Sequence, residues 1–102
     1  MKPKMTRSSG NVFTDLGFPS QEAEHLRIRS LLIVHLRRLI EARGLNQSEA
    51  AKLFGVTQPR VSDLVRGKID LFSIDALIDM LARAGVRAKL TLSSSRRKRR
   101  VA

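Results

Sequence analysis

Cysteine is missing from this 102-residue chain, which removes any disulfide framework and any thiolate metal site and is compatible with a reducing compartment. Long apolar runs are missing too: LLIVHL is closed by Arg29 before it and Arg37 after it, far short of the ~18 residues a membrane span needs. No membrane span is therefore expected, and the chain reads as cytoplasmic. Acidic residues are scarce, 9 Asp and Glu against 20 Lys and Arg, for a net charge of +11. The scattered carboxylates form no Ser, His and Asp constellation. His25 and His35 stand ten apart, without the i, i+4 spacing of a helical metal pair. A chain this short, 42% hydrophobic, can bury one modest core but has little material for an enclosed cavity. These absences point away from an enzyme, a cofactor and a metal, and toward a binding module.

What is present is mostly positive charge, unevenly spread. Residues 20–92 carry 12 basic against 8 acidic residues, residues 1–19 carry 3 against 1, and residues 93–102 carry 5 against none. About +4 belongs to the domain and +7 to the flanks. A surplus of this size favours polyanions such as DNA, RNA or an anionic membrane surface, because contact with phosphate releases condensed counterions. Charge alone does not choose among them. The RRKRR cluster fits either a localisation-like patch or a solvated tail that adds nonspecific nucleic-acid affinity.

Punctuation divides the chain into 1–19, a flexible basic arm and apolar docking segment; 20–85, a helical domain; 86–92, a strand; and 93–102, a disordered basic tail. In the first segment Val12, Phe13, Leu16 and Phe18 are interrupted by Gly17 and Pro19. This stretch is too apolar to remain in water, so it either caps the domain's own core or docks on another protein. Ser20, followed by Glu22 and Glu24, starts a helix expected over about 21–43, which Gly44 stops. The basic stretch LRIRSLLIVHLRRLI could lie on a membrane surface, but its apolar residues are better used as core. Asn46 with Glu49 three residues on has the pattern of a capping box. Thr57 can cap the next helix, with Pro59 in its first turn, and Ser73 can cap a last helix ending before Gly85. Val86, Ala88, Leu90 and Leu92 alternate with Arg87, Lys89 and Thr91, the period of a half-buried strand. Such a strand needs a partner, either the same segment of a second copy or another strand of this chain, and these four residues are the candidate dimer contact.

The stretch LNQSEAAKLFGVTQPRVSDLVRG holds two short helices almost in contact. A small Ala51 permits a close crossing, Gly55 permits a sharp left-handed turn, and Ala50, Phe54, Val56, Val61 and Leu64 supply the inner faces. With Val61, Leu64 and Val65 turned inward, Pro59, Ser62, Asp63 and Arg66 turn outward, Arg60 lies on a flank, and Gln58 stands at the N-terminal end. Gln58 can pair bidentately with adenine, Arg60 with guanine or a phosphate, and Pro59 can touch a thymine methyl. Asp63 either accepts from cytosine N4 or forms an ion pair with Arg60 or Arg66 that orients them. Arg66 and Lys68, at the helix end, fit phosphates.

These residues resemble the helix-turn-helix of the XRE family, the lambda Cro and cI repressor-like DNA-binding domains, over about residues 30–85 including Arg66 and Gly67. The resemblance implies an all-α, lambda-repressor-like domain of about five helices, to which the alternating segment adds one C-terminal β-strand used in dimerisation. It implies double-stranded DNA with a palindromic operator as partner. It also implies base contacts by Gln58, Pro59 and Asp63, which the outward face extends to Arg60 and Ser62, and phosphate contacts by Gln47, to which Thr57, Arg66 and Lys68 are added. The whole arrangement, NVFTDLGF ahead of the first helix included, is similar to HigA-type antitoxins. That narrower resemblance implies a homodimer that represses its own operon and neutralises a RelE/HigB-like toxin, in a bacterial, nucleoid-associated setting. A stand-alone regulator, phage-derived and without a toxin, is the alternative.

Overall fold

The computed structural model describes residues 11–94; the expected flexible arm at residues 1–10 and the RRKRR cluster lie outside them. In chain order the described residues form α1 (Val12–Asp15), α2 (Ser20–Ala42), α3 (Gln47–Phe54), α4 (Gln58–Val65), a 3₁₀ turn (Ile69–Leu71) and α5 (Ile74–Arg83). Among the described residues no helix is long and apolar enough to cross a membrane, and no group of His, Cys, Asp or Glu is arranged to hold a metal ion.

Helix ends follow local chemistry. The Asn46 side chain accepts from the Glu49 amide at 2.8 Å while the Glu49 carboxylate accepts from the Asn46 amide at 2.9 Å, the reciprocal capping box that its sequence spacing predicts. Ser73 Oγ accepts from the Ala76 amide at 3.1 Å and starts α5. For α2 the cap position falls on Pro19 rather than Ser20, which is already helical. Helix C-termini close by paired backbone bonds that satisfy their last carbonyls. At α2 the Leu45 amide donates to the Ile40 carbonyl and the Gly44 amide to that of Glu41.

The core is a single cluster in which Ile33 and Leu36 of α2, Ala50, Ala51 and Phe54 of α3, Val61 and Leu64 of α4, Phe72, and Leu77, Met80 and Leu81 of α5 are all buried. Each contributing helix shows its apolar residues at i, i+3 or i+4, so one face turns inward. α2 also packs on α5 and on the 3₁₀ turn, and so serves as the backbone of the domain.

One expectation needs correction. The β-strand at Val86–Leu92 does not form: no strand is present among the described residues, and the segment after α5 is irregular and exposed. Val86 is consumed by the closure of α5, its amide donating to the Leu81 carbonyl at 2.9 Å beside the Gly85 bond to Ala82. Beyond it, Leu90 and Leu92 stay 77% and 85% exposed. Alternation of apolar and polar residues reports a surface that can be half buried, but a strand exists only with a second backbone to complete its ladder, and the described fold offers none. The fold is all-helical.

The apolar segment ahead of α2, expected either to cap the core or to dock on another protein, forms α1 and packs on the side of α2. Asn11 caps α1 by accepting from the Phe13 amide at 2.9 Å, and its Nδ2 donates to the Ala23 carbonyl of α2 at 3.2 Å. Phe13 and Phe18 meet edge to face with centroids 6.2 Å apart. Ala23, fully buried, lies in α2 opposite this bond, apart from the main core cluster.

Candidate nucleic-acid interface

α3 and α4 are eight residues each, joined by Gly55, Val56 and Thr57. Gly55 ends α3 in the left-handed region at φ 70°, and the Val56 amide returns to the Ala51 carbonyl at 3.0 Å. Ala51, 7% exposed, lies between the helices where a larger side chain would hold them apart. Val61 and Leu64 anchor α4 to the core and are completely buried. Its opposite face is thereby fixed toward solvent.

On that face Gln58 and Pro59 are exposed at the N-terminal end. Thr57 occupies the cap position with extended backbone, yet its side chain makes no capping bond; the expected cap is made by position alone. Gln47, the first residue of α3, is exposed as well. Ser62 and Asp63 are half-buried and tied to neighbours. Ser62 Oγ accepts from Arg66 Nη2 at 2.9 Å. Asp63 takes neither Arg60 nor Arg66 as its ion-pair partner but Lys68, with Nζ to Oδ1 at 3.8 Å. Part of its charge is thus offset at the helix end, which tempers the repulsion an acidic residue would exert on a phosphate.

Arg60 does not project with Gln58. Its Nη1 donates to the Leu71 carbonyl at 2.8 Å, and its guanidinium carbon lies 4.2 Å from the centre of the Phe72 ring. A helical wheel predicts the direction of its Cβ but not where a long, flexible side chain finds partners. The cue available in sequence was Phe72, an aromatic residue just after the turn.

The arrangement offers a short helix with Gln58 and Pro59 exposed at its N-terminal end, the cations Arg66 and Lys68 at and beyond its C-terminal end, and a second helix N-terminus at Gln47 before it in sequence. Such a surface can place amide donors and acceptors against base edges and cations against phosphates. The remaining residues picked out in sequence lie elsewhere: Val12, Phe13, Leu16 and Phe18 on or beside α1, and Val86, Ala88, Leu90 and Leu92 along the segment after α5. That segment lines a groove of about 530 Å³ against α2, bounded by Ile28, Leu31, Leu32 and His35.

Residues 12–93 match the helix-turn-helix domain family. The chain belongs to that family. A solved structure described as an XRE family transcriptional regulator is 28% identical, with a TM-score of 0.69 over 79% of this chain and 91% of its own. No curated protein matches the chain. Membership and likeness together support the XRE helix-turn-helix resemblance that Gln47 to Gly67 carries.

Proposed function

We propose that this helix-turn-helix protein is a sequence-specific DNA-binding transcriptional repressor of XRE type, with α4 as its recognition helix. The observation that carries this reading is the exposed pair Gln58 and Pro59 at the N-terminus of a helix whose far face is locked into the core by Val61 and Leu64. Recognition helices of this class enter the major groove with their N-terminal residues against base edges. Gln58 reads adenine, Pro59 meets a thymine methyl, and Gln47, Thr57, Arg66 and Lys68 engage phosphates, with Ser62 and Asp63 close enough to the groove to discriminate neighbouring bases. A single α4 spans too few base pairs for a unique site, so the active species is a homodimer on a palindrome with half-sites about one helical turn, ~34–36 Å, apart. The exposed Val86, Leu90 and Leu92 supply apolar side chains for association without a strand ladder, with Ala88 between them.

The test is selection from randomised duplexes followed by titration of the enriched site. Gln58→Ala is expected to cost about 1–3 kcal/mol on that site and to leave binding to random DNA unchanged. Equal losses on both would remove α4 from the recognition role. Sedimentation with and without the duplex reports the dimer.

A second reading adds a protein client. On and just after α1, Val12 and Leu16 are 59% and 70% exposed, an apolar surface outside α3 and α4, which fits an antitoxin that holds a RelE/HigB-like toxin. Co-expression with a neighbouring toxin gene, comparing the wild type with Val12→Ser and Leu16→Ser, decides it: capture lost in the double variant supports the client. No complex with any neighbouring product leaves the regulator without a toxin.

A further inference from the structure

We infer that Arg60 is a positioning residue: it fixes the reading end of α4 to the linker before α5 and is not itself a base reader. This inference rests on α4 being the recognition helix. Gln58 and Pro59, which open α4, bury no side chain; the two buried residues, Val61 and Leu64, are the fourth and seventh of the helix. Thr57, at the cap, makes no side-chain bond to the first turn. Side chains hold the reading end through its neighbours, Val56 before it and Val61 after it, and a bond from Arg60 adds a tie between them.

Arg60 is that tie. Leu71 ends the 3₁₀ turn, so its carbonyl has no acceptor role within that turn, and Arg60 Nη1 satisfies it at 2.8 Å. Phe72, 1% exposed and part of the core cluster, presents its ring to the guanidinium at 4.2 Å. The residue after it, Ser73, caps α5. One side chain thus bridges the start of the recognition helix, the end of the 3₁₀ turn and the entrance to α5. Bidentate reading of guanine needs two parallel N–H groups delivered into the groove. To do that Arg60 would have to leave both the carbonyl and the ring, uncovering a buried aromatic face. Arg66, by contrast, bonds only to Ser62 within its own helix and keeps its head on the outer face.

The consequence is specific. With the strut in place, Gln58 meets the groove already oriented, and the ordering cost of the first turn is met on folding rather than on binding. The experiment uses the full chain as wild type, Arg60→Ala, Arg60→Met and Arg60→Lys. Each is titrated, well below its melting temperature, against the selected operator, every singly substituted operator and random DNA. Arg60→Ala and Arg60→Met are expected to weaken the operator and all its single variants by one common factor, about tenfold, the equivalent of about one cation–π contact. Random DNA is expected to change little. Arg60→Lys, which returns a cation to the ring but cannot also fork to the carbonyl, recovers part of the loss. Discrimination lost at one base pair alone would make Arg60 a base reader and overturn the inference. A lower melting temperature with unchanged affinity would also overturn it, since the contact would then serve stability only. A wild type that prefers no duplex defeats the recognition-helix reading and this inference with it, whereas either of the preceding outcomes, with wild-type preference intact, defeats the inference alone.

Discussion

At the scale of single residues, Gly55 and Glu24 show two different kinds of constraint. Gly55 sits at φ 70°, and a methyl group there would run into the Arg83 guanidinium. Because Arg83 is a flexible side chain that can swing aside, the cost of Gly55→Ala comes mainly from the left-handed backbone. A loss of about 1–2 kcal/mol is expected in chemical denaturation, with the fold retained. Glu24 forms a forked pair with Arg27, and that hydrogen bond, with the nearby charge, holds its carboxyl below the ordinary carboxylate value despite a small opposing effect of burial. A depressed carboxyl contributes stability that is present above the ordinary carboxylate range and is lost as pH falls through the folded value. Both partners are close to half exposed, 51% for Glu24 and 40% for Arg27, so screening keeps the contribution small. Melts of Glu24→Gln and wild type should coincide at acid pH and separate only slightly at neutral pH. Gly55 and Asn46 were legible in the sequence because their roles depend on position in a turn or cap. The contact made by Arg60 was not, since it depends on a partner eleven residues away at Leu71.

At the scale of elements, short-range rules held and long-range ones did not. The capping box of α3 joins residues three apart, and the sequence contains everything needed to see it. Asn46→Ala should cost about 1 kcal/mol and fray α3, which amide exchange at Glu49 would report. The alternation in residues 86–92 has the opposite character, because its meaning depends on a partner backbone that local sequence does not specify. α1 was hidden for a third reason. A helix of four residues has no periodicity to detect and is not stable by itself; it exists because Asn11 caps it and bonds to Ala23. Phe13 and Phe18 pack on one another rather than into the core cluster. Replacing both by Ala is therefore expected to melt α1 with little change in the main transition, whereas Phe54→Ala, 1% exposed in the core, should lower stability by about 3–5 kcal/mol. Circular dichroism and denaturant midpoints separate the two effects.

At the scale of the whole molecule, a net charge of +11 makes association with a polyanion strongly dependent on salt. Operator affinity should fall linearly on a double logarithmic plot, and Arg66→Ala or Lys68→Ala should each reduce the slope by about one while weakening all sequences alike. A slope left unchanged by both substitutions would place the phosphate contacts elsewhere. The general class, a basic helical binding domain built around Asn46 to Gly67, was readable from composition and spacing; the attachment of α1 was not. That attachment has a kinetic consequence. α2 runs for 23 residues and is held near one end by α1 and farther along by the core, through Ile33 and Leu36, so its two ends need not open together. Hydrogen exchange should resolve two protection classes within this one continuous helix. Amides around Ala23 would exchange by a low-energy local opening in which α1 lifts away, and amides around Leu36 only when the whole domain unfolds.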